Sequence, residues 1–197
     1  MLLTPGHFDQ KYLTPLYEKI YEKYQQNDPS KAMWFEPTPF PDQIGLMKGF
    51  NFPVGFQSPP GADLGSSVHV LNDHTYCCAR NPHECPNGEP QLAHAEICKE
   101  WHEDRIGMRA KDAERLGIPL VITEFGACLT DGPCQQEITQ VADAADEHLV
   151  GWAYWQFKNY EDLTTSAGTG SEGFYNNDNT VQDYKVKALA RSYVPFT

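Results

Sequence analysis

Positive charge is scarce in this chain. It has 15 lysines and arginines against 27 aspartates and glutamates, for a formal net charge of −12. The basic residues are scattered. Nucleic-acid binding needs Lys and Arg clustered against phosphate, and an anionic membrane surface needs a polybasic patch, so the sequence argues against both. Long apolar runs are missing too, and no stretch approaches the roughly 20 residues that cross a bilayer. The opening MLLTPGHFDQ has no basic n-region and an apolar run of only two leucines, so it does not read as a signal peptide. No glycine-rich loop follows any strand-like run, which turns the reading away from a nucleotide-binding doubly wound sheet. No Asn-x-Ser/Thr sequon occurs.

The chain does have enough apolar and aromatic residues for one core. Of its 197 residues 40% are hydrophobic, and four Trp, ten Tyr and ten Phe exclude a disordered segment. Six cysteines are more than a reducing compartment usually holds. Cys77, Cys78 and Cys85 share a Pro- and Asn-rich loop, and Cys128 and Cys134 flank the turn-like LTDGP. We expect disulfides and a secreted or lysosomal parent protein. A rival reading makes a metal site of His69, His74, Cys77, Cys78, His83 and Cys85, but adjacent Cys77 and Cys78 are not the usual C-x2-C pair. The reading adopted has no metal and no cofactor.

Leu13, Leu16, Tyr17, Ile20, Tyr21 and Tyr24 fall on one face of a helix, with Asp9 a plausible N-cap and Pro15 drawing the start toward Thr14. AMWFEP, stopped by Pro37, reads as a strand, and residues 38–66 as a long loop. SSVHVLNDHTY is a second strand, with Val68 and Val70 alternating. A helix from about Pro90 to Leu116 closes on Gly117 as its C-cap. IPLVITEFG is a third strand, the next helix carries Ile138, Val141, Ala142, Ala145 and Leu149, and LVGWAYWQF is a fourth strand. After a Gly/Ser/Asn-rich loop over 164–180, a last helix carries Val186, Leu189, Ala190 and Tyr193.

Strands apolar on both faces and alternating with helices predict a parallel sheet covered by helices. Polar residues gather at the strand C-terminal ends: Glu36, His74 and Tyr76, Glu124, Trp155 and Gln156. A (β/α)8 barrel builds its active site on that face, but four strands are half of eight and a full barrel takes about 250 residues. Residues 1–197 therefore read as a single α/β domain, a partial (β/α)8 TIM barrel whose first half is missing.

The stretch from Ile118 to Gly126 poses the chemical question, because a β-branched apolar run ends on a carboxylate. Either Glu124 is merely the first residue to reach water, or the strand carries a reactive carboxylate to the mouth of a pocket. Such a group can act as a nucleophile or as an acid. In a retaining glycosidase two carboxyl groups lie about 5–5.5 Å apart across the sugar bond. A phenol at Tyr76 can hydrogen-bond a carboxylate and keep it ionised. His74 can orient the same carboxylate or a sugar hydroxyl. The indole of Trp155 can stack on a pyranose face while its N–H serves a hydroxyl. Trp152 is read as core.

VITEFG followed by GWAYWQF, with HTY upstream, resembles glycoside hydrolase family five, a retaining clan built on the (β/α)8 barrel. WFEPTPFPDQ and GHFDQKYLTPLYEKIYEKY carry the likeness toward the endoglycoceramidases, which cut the bond between oligosaccharide and ceramide in glycosphingolipids. The likeness covers nearly the whole chain, from the helix after the fourth barrel strand to the helix after the eighth. It implies that Glu124 is the nucleophile, that His74 and Tyr76 stand beside it, and that Trp155 lies under the sugar nearest the cleaved bond. Glu36 and Gln156 match less specific positions on the pocket wall. The implied substrate is a glycosphingolipid or a β-glucan, with membrane or micelle lipid as a further contact.

One departure accompanies the matches. The family's acid/base is the Glu of an Asn-Glu-Pro at the end of the fourth strand, and no Asn-Glu-Pro occurs here. Glu36 in FEP follows Trp34 and Phe35 and belongs one strand later. The resemblance thus implies an acid/base upstream of Met1 in a longer parent, and an inactive isolated chain. Phe50, Phe52, Pro53, Val54 and Phe56 are expected to form either a lipid-facing wall or packing over the barrel rim. The alternatives carried forward are an endo-β-glucanase of the same family and a non-catalytic glycan- or lipid-binding remnant.

Overall fold

The computed structural model describes residues 5–38, 51–61, 69–80, 85, 89–158 and 172–190. Four strands, β1 (Trp34–Phe35), β2 (Val70–His74), β3 (Leu120–Glu124) and β4 (Gly151–Trp152), pair in parallel in chain order. Parallel neighbours need a crossover that returns the chain to the same end of the sheet. Helix α3 (Ala95–Leu116) supplies it between β2 and β3, and α4 (Asp131–Glu147) between β3 and β4. Helix α1 (Thr14–Asn27) precedes β1, a single turn α2 (Cys77–Arg80) follows β2, and α5 (Asp183–Leu189) comes after β4. Among the described residues β1 and β4 each pair along one edge only. The architecture is the partial (β/α)8 barrel that the alternation predicts.

The strands prove two-faced rather than apolar on both sides. Phe35, Leu71 and Ile122 are at most 1% exposed and join Phe56, Ile106, Phe125, Ile138 and Val141 in the core between sheet and helices. Their alternate neighbours Asn72, His74, Val121 and Thr123 are only half-buried, and Trp34 is exposed. The inner face of a barrel is buried by strands from the opposite wall, and the described residues provide none.

The first helix also differs from expectation. A π-turn over Asp9–Leu13 precedes α1, and Pro15 sits in the first turn of the α-helix, where its missing N–H costs nothing. Asp9 caps nothing. Its buried carboxylate accepts from Thr38 N (2.9 Å), Thr38 Oγ1 (2.7 Å) and Gly55 N (2.9 Å), fastening the segments on either side of β1 together. Of the expected apolar face only Tyr21 is buried, while Leu16, Ile20 and Tyr24 are exposed. Tyr17 and Tyr21 meet Phe35, Phe56 and His69, and the other flank of the helix has no neighbour among the described residues to cover it. In α4, Ile138, Val141, Ala142 and Ala145 are fully buried as expected, but the helix stops at Glu147 and leaves Leu149 exposed. Gly117 ends α3 at φ +68°, as its C-cap role requires.

Between β1 and β2 the described residues 51–61 form no helix. This segment runs along α3 and answers the question left open for its apolar residues. Val54 and Phe56 are core, with the Phe56 ring 5.2 Å from that of Phe35, so they are not part of a lipid-facing wall. Phe50, Val68, His83 and Tyr193 lie outside the described residues. The segment's carbonyls are satisfied by α3, since Arg109 Nη1 donates to Phe52 O (2.8 Å) and Arg115 Nη1 to Phe56 O (2.8 Å).

Under β2, the helix-facing carboxylate of Asp73 accepts from Arg105 Nη2 (2.9 Å) and Arg109 Nε (2.6 Å), and Arg109 also meets Asp112 (3.2 Å). Burial by itself would raise the Asp73 pKa. The two guanidiniums, the His74 N–H and the hydrogen bond from Arg109 overcome that and hold it below the ordinary carboxylate value. A depressed folded-state pKa means that Asp73 contributes stability above the ordinary Asp range, and that this is lost as pH falls through the folded value.

Three disulfides, Cys77–Cys98, Cys78–Cys85 and Cys128–Cys134, use all six cysteines. The three sulfurs of the rival metal reading are therefore all taken up in disulfides, Cys78 with Cys85 and Cys77 with Cys98. Its His69 accepts at Nδ1 from the N–H of Met33 (3.1 Å).

Two outcomes follow. Arg109→Met leaves a buried carboxylate short of one partner and is expected to cost about 3–5 kcal/mol in urea unfolding; a loss below about 1 kcal/mol would contradict the network. Thiol titration of the denatured protein should find no free thiol before reduction and six after it.

Candidate active site

An irregularity in β3 carries Glu124 to the inner face. The β2–β3 register runs Leu71 to Leu120, Asn72 to Val121 and Asp73 to Ile122, and then His74 pairs with Glu124. Thr123 is the extra residue, so β3 is bulged there. Strict alternation would send Glu124 into the core with Leu120 and Ile122. Instead Thr123 and Glu124 are both half-buried, and the core position passes to Phe125, which is fully buried. Bulges of this kind re-aim side chains beside functional sites. Gly126 then turns the chain at φ +116°, where a Cβ would fall 2.5 Å from the Tyr154 ring.

On the inner face four of the expected residues form one connected group. His74 Nδ1 lies 3.3 Å from Glu124 Oε2, and His74 Nε2 lies 3.3 Å from Glu36 Oε2. A neutral ring donates to one of these carboxylates, and an imidazolium donates to both. The Tyr76 hydroxyl donates to Glu124 Oε2 at 3.3 Å. Asn72 Nδ2 donates to Glu36 Oε2 (2.9 Å), and Asn72 Oδ1 accepts from the Thr123 hydroxyl. The backbone is held as well: Arg105 Nε donates to His74 O (2.7 Å), Thr75 N to Glu124 O (3.0 Å), and the Tyr17 phenol donates to Glu36 O and accepts from Glu36 N.

Trp155 and Gln156 stand one strand further on. Trp155 continues the sheet by a bridge to Gly126. Its indole N–H is not free for a sugar hydroxyl, because it donates to Glu172 Oε2 at 3.0 Å. Gln156 N donates to Glu172 O (2.7 Å). Trp152, read as core, is only half-buried: it packs against the core edge-on to Phe125, with ring centroids 5.6 Å apart.

The surroundings tune the titrating groups. Glu124 sits above the ordinary Glu value, first because burial disfavours its charge. His74 and the Tyr76 hydrogen bond pull it down, and Glu36 and Glu172 push it further up. Burial, then the charges of Glu124 and Glu172, raise Tyr76 and keep its phenol protonated as a donor. A like pair of carboxylates around a half-buried acid is a functional-site pattern.

Asn72, Arg105, Thr123 and Glu172 escaped the sequence reading. Thr123 left a signal, because Ile122 and Phe125 are three residues apart where a regular strand would space core residues by two. Glu172 left none in its Gly- and Ser-rich loop. A groove of about 630 Å3, lined by Trp152, Tyr154, Phe174, Val186 and Leu189, lies between the end of β4 and α5 and not at the carboxylates. Apolar lining alone draws attention there, but it carries none of the group around Glu124.

Residues 55–161 match the family model of cellulase, glycosyl hydrolase family 5. That is more than half of the chain, and the chain belongs to this family. Over 192 residues it is 21% identical to an endoglycoceramidase of Cyanea nozakii, covering 98% of this chain and 33% of the relative. Among solved structures it is similar to endo-glycoceramidase II from Rhodococcus sp., determined as a lactosyl-enzyme intermediate, at TM-score 0.65 and 20% identity over 92% of this chain and 36% of that one. It is also similar to a family 5 xyloglucanase from Paenibacillus pabuli, at TM-score 0.58 and 15% identity over 92% of this chain and 55% of that one. The chain spans about a third of the length of the two endoglycoceramidases, 33% and 36%. The structural likenesses place its four strands in a (β/α)8 barrel.

The electrostatics make a prediction of opposite signs. Tyr76→Phe removes a hydrogen bond to the charged form and should move the Glu124 titration to higher pH. Glu36→Gln removes a like charge and should move it to lower pH. Carboxyl 13C NMR of Glu-labelled protein reads both, and shifts in the same direction would contradict the arrangement.

Proposed function

We propose that this chain carries the nucleophile half of a retaining glycoside hydrolase active site, with Glu124 as the nucleophile. The observation that carries the reading is the Glu124 carboxylate, turned onto the inner face and held between His74 and the Tyr76 hydroxyl. In this reading a Glu124 oxygen attacks the anomeric carbon as the bond to the leaving oxygen breaks. An acid on the strands that complete the barrel protonates that oxygen. The same group then takes a proton from water, which displaces Glu124 and returns both carboxyls to their starting states. His74 and Tyr76 orient the attacking oxygen. Trp155, fixed by Glu172, offers its ring face to the sugar beside the cleaved bond. Gln156 and Glu36 line the wall.

Glu36 is a poor substitute for the absent acid. Its Oε2 accepts from Asn72 and faces His74, so that oxygen serves as an acceptor and does not present a proton to a leaving group. A lone nucleophile forms little glycosyl-enzyme when the leaving oxygen stays unprotonated. The 197-residue chain by itself is therefore read as inactive, and turnover belongs to a completed barrel.

The substrate class favoured is a glycosphingolipid cut between oligosaccharide and ceramide. The support is the endoglycoceramidase likeness along 98% of the chain. The three disulfides support an oxidising compartment, secreted or lysosomal. A second reading, an endo-β-glucanase, is favoured by the match to the cellulase family model and by the xyloglucanase likeness. Activity that depends on micelles selects the lipid, and activity on soluble cellulose derivatives selects the glucan. A non-catalytic remnant would instead bind glycan equally well after Glu124→Gln.

The test is release of ceramide from a fluorescent glycosphingolipid by a completed barrel containing these residues. Glu124→Gln should lower kcat by several orders of magnitude. The acid limb of kcat/KM should lie above the ordinary Glu range, because the nucleophile must be ionised and its pKa is raised. Full activity in Glu124→Gln would overturn the role. Turnover by the isolated chain that Glu124→Gln abolishes would overturn its inactivity.

A further inference from the structure

On the helix side of β2, directly behind Tyr76, lies a buried polar cluster that the proposed chemistry does not use. Thr75, His102 of α3 and Glu137 of α4 are each at most 2% exposed. Thr75 Oγ1 is 2.8 Å from His102 Nδ1, and His102 Nε2 is 2.9 Å from Glu137 Oε1. The carboxylate can only accept, so Nε2 carries the proton toward Glu137. In the neutral ring Nδ1 then accepts from the Thr75 hydroxyl. Glu137 Oε1 also receives the N–H of Cys77 at 3.4 Å, while its Oε2 has no hydrogen-bond partner among the described residues. Burying these groups is costly, and an apolar trio would pack in their place without that cost.

The cluster grips both neighbours of Tyr76. Thr75 is held through its side chain by His102. Cys77 is held through its N–H by Glu137 and through its sulfur by Cys98 of α3. Thr75 and Cys77 point to the helices, so the residue between them points to the inner face, where its hydroxyl meets Glu124. The Thr75 N–H also donates to Glu124 O, tying the two strand ends together (3.0 Å). We propose that Thr75, His102 and Glu137 form a relay of positioning residues that locks the strand end so that the Tyr76 hydroxyl stays on the Glu124 carboxylate. The kinetic consequence rests on Glu124 being the nucleophile. The positioning itself does not, and it is tested without activity.

The charged and titratable groups around the Glu124 carboxylate are His74 of β2, Tyr76 just after it, Glu36 after β1 and Glu172 after β4. Loosening the relay weakens the Tyr76 contribution, which now pulls Glu124 down. The experiment is 13C NMR titration of Glu-labelled full chain, with Glu124 assigned by the signal lost in Glu124→Gln. Thr75→Val, which deletes only the hydroxyl, and Glu137→Met, which deletes the acceptor, should each shift the Glu124 titration upward, as Tyr76→Phe does. In a Tyr76→Phe background the same substitutions should add no further shift. Thr75→Ser, which keeps the hydroxyl, should titrate like the wild type. An unchanged Glu124 titration in folded Thr75→Val or Glu137→Met overturns the proposal, as does a shift that persists in full without the Tyr76 hydroxyl. If Thr75→Val fails to fold, Glu137→Met and Thr75→Ser decide by the same criteria. Activity retained by a completed barrel after Glu124→Gln would sink the hydrolase reading and leave this result standing.

Discussion

One extra residue in one strand is the constraint on which the candidate site depends. Thr123 breaks the two-residue period of β3, so Glu124 leaves the row of Leu120 and Ile122 and joins the inner face, while Phe125 takes the core position that follows. Without it the carboxylate would join the helix-facing row of Leu120 and Ile122, a placement that costs several kcal/mol for an unpaired charge. With it the carboxylate meets a histidine and a phenol. The bulge is stable because core residues bracket it: Ile122 and Phe125 are both fully buried, and Trp152 and Tyr154 pack edge-on against Phe125.

The same sheet carries two polar systems on opposite faces, and each supports the other. On the helix face, Asp73 with Arg105 and Arg109, and Thr75 with His102 and Glu137, anchor β2 to α3 and α4. On the inner face, Asn72 and His74 of the same strand and Tyr76 just beyond its end project toward Glu36 and Glu124. Arg105 links the faces, since its guanidinium pairs with Asp73 and also donates to the His74 carbonyl. Residues that would otherwise be soft at a strand end are therefore fixed from behind. The barrel edges are different. β1 and β4 each lack a neighbour on one side among the described residues, and apolar surface is exposed beside both, on α1 and in the groove at β4.

Much of this was legible in the sequence, for physical reasons. The strands were visible as short apolar runs bounded by turn residues, β-branched in IPLVITEFG, and Gly117 announced the end of α3 because a left-handed residue closes it there. The strand-end residues Glu36, His74, Tyr76 and Glu124 came together because parallel topology sends every C-terminal end to one face. Other features were not legible. Whether α1's apolar stripe is buried depends on what flanks it, which periodicity does not encode. The burial of Val54 and Phe56 follows from a helix-free crossover in a segment whose composition reads simply as loop. His102, Arg105 and Glu137 carry no signal in the sequence, and only the fold brings them beneath β2. Glu172 lies in a stretch with no spacing signal, and its bond to the Trp155 indole is purely tertiary.

The claim that Glu124 is the attacking group is tested most directly by covalent trapping. A completed barrel containing these residues would be treated with an activated 2-deoxy-2-fluoro glycoside, whose leaving group needs no acid, and the labelled peptide would be located by mass spectrometry. The account predicts one sugar bound to the Glu124 side chain. A label on Glu36 or any other residue, or no label at all, would contradict it.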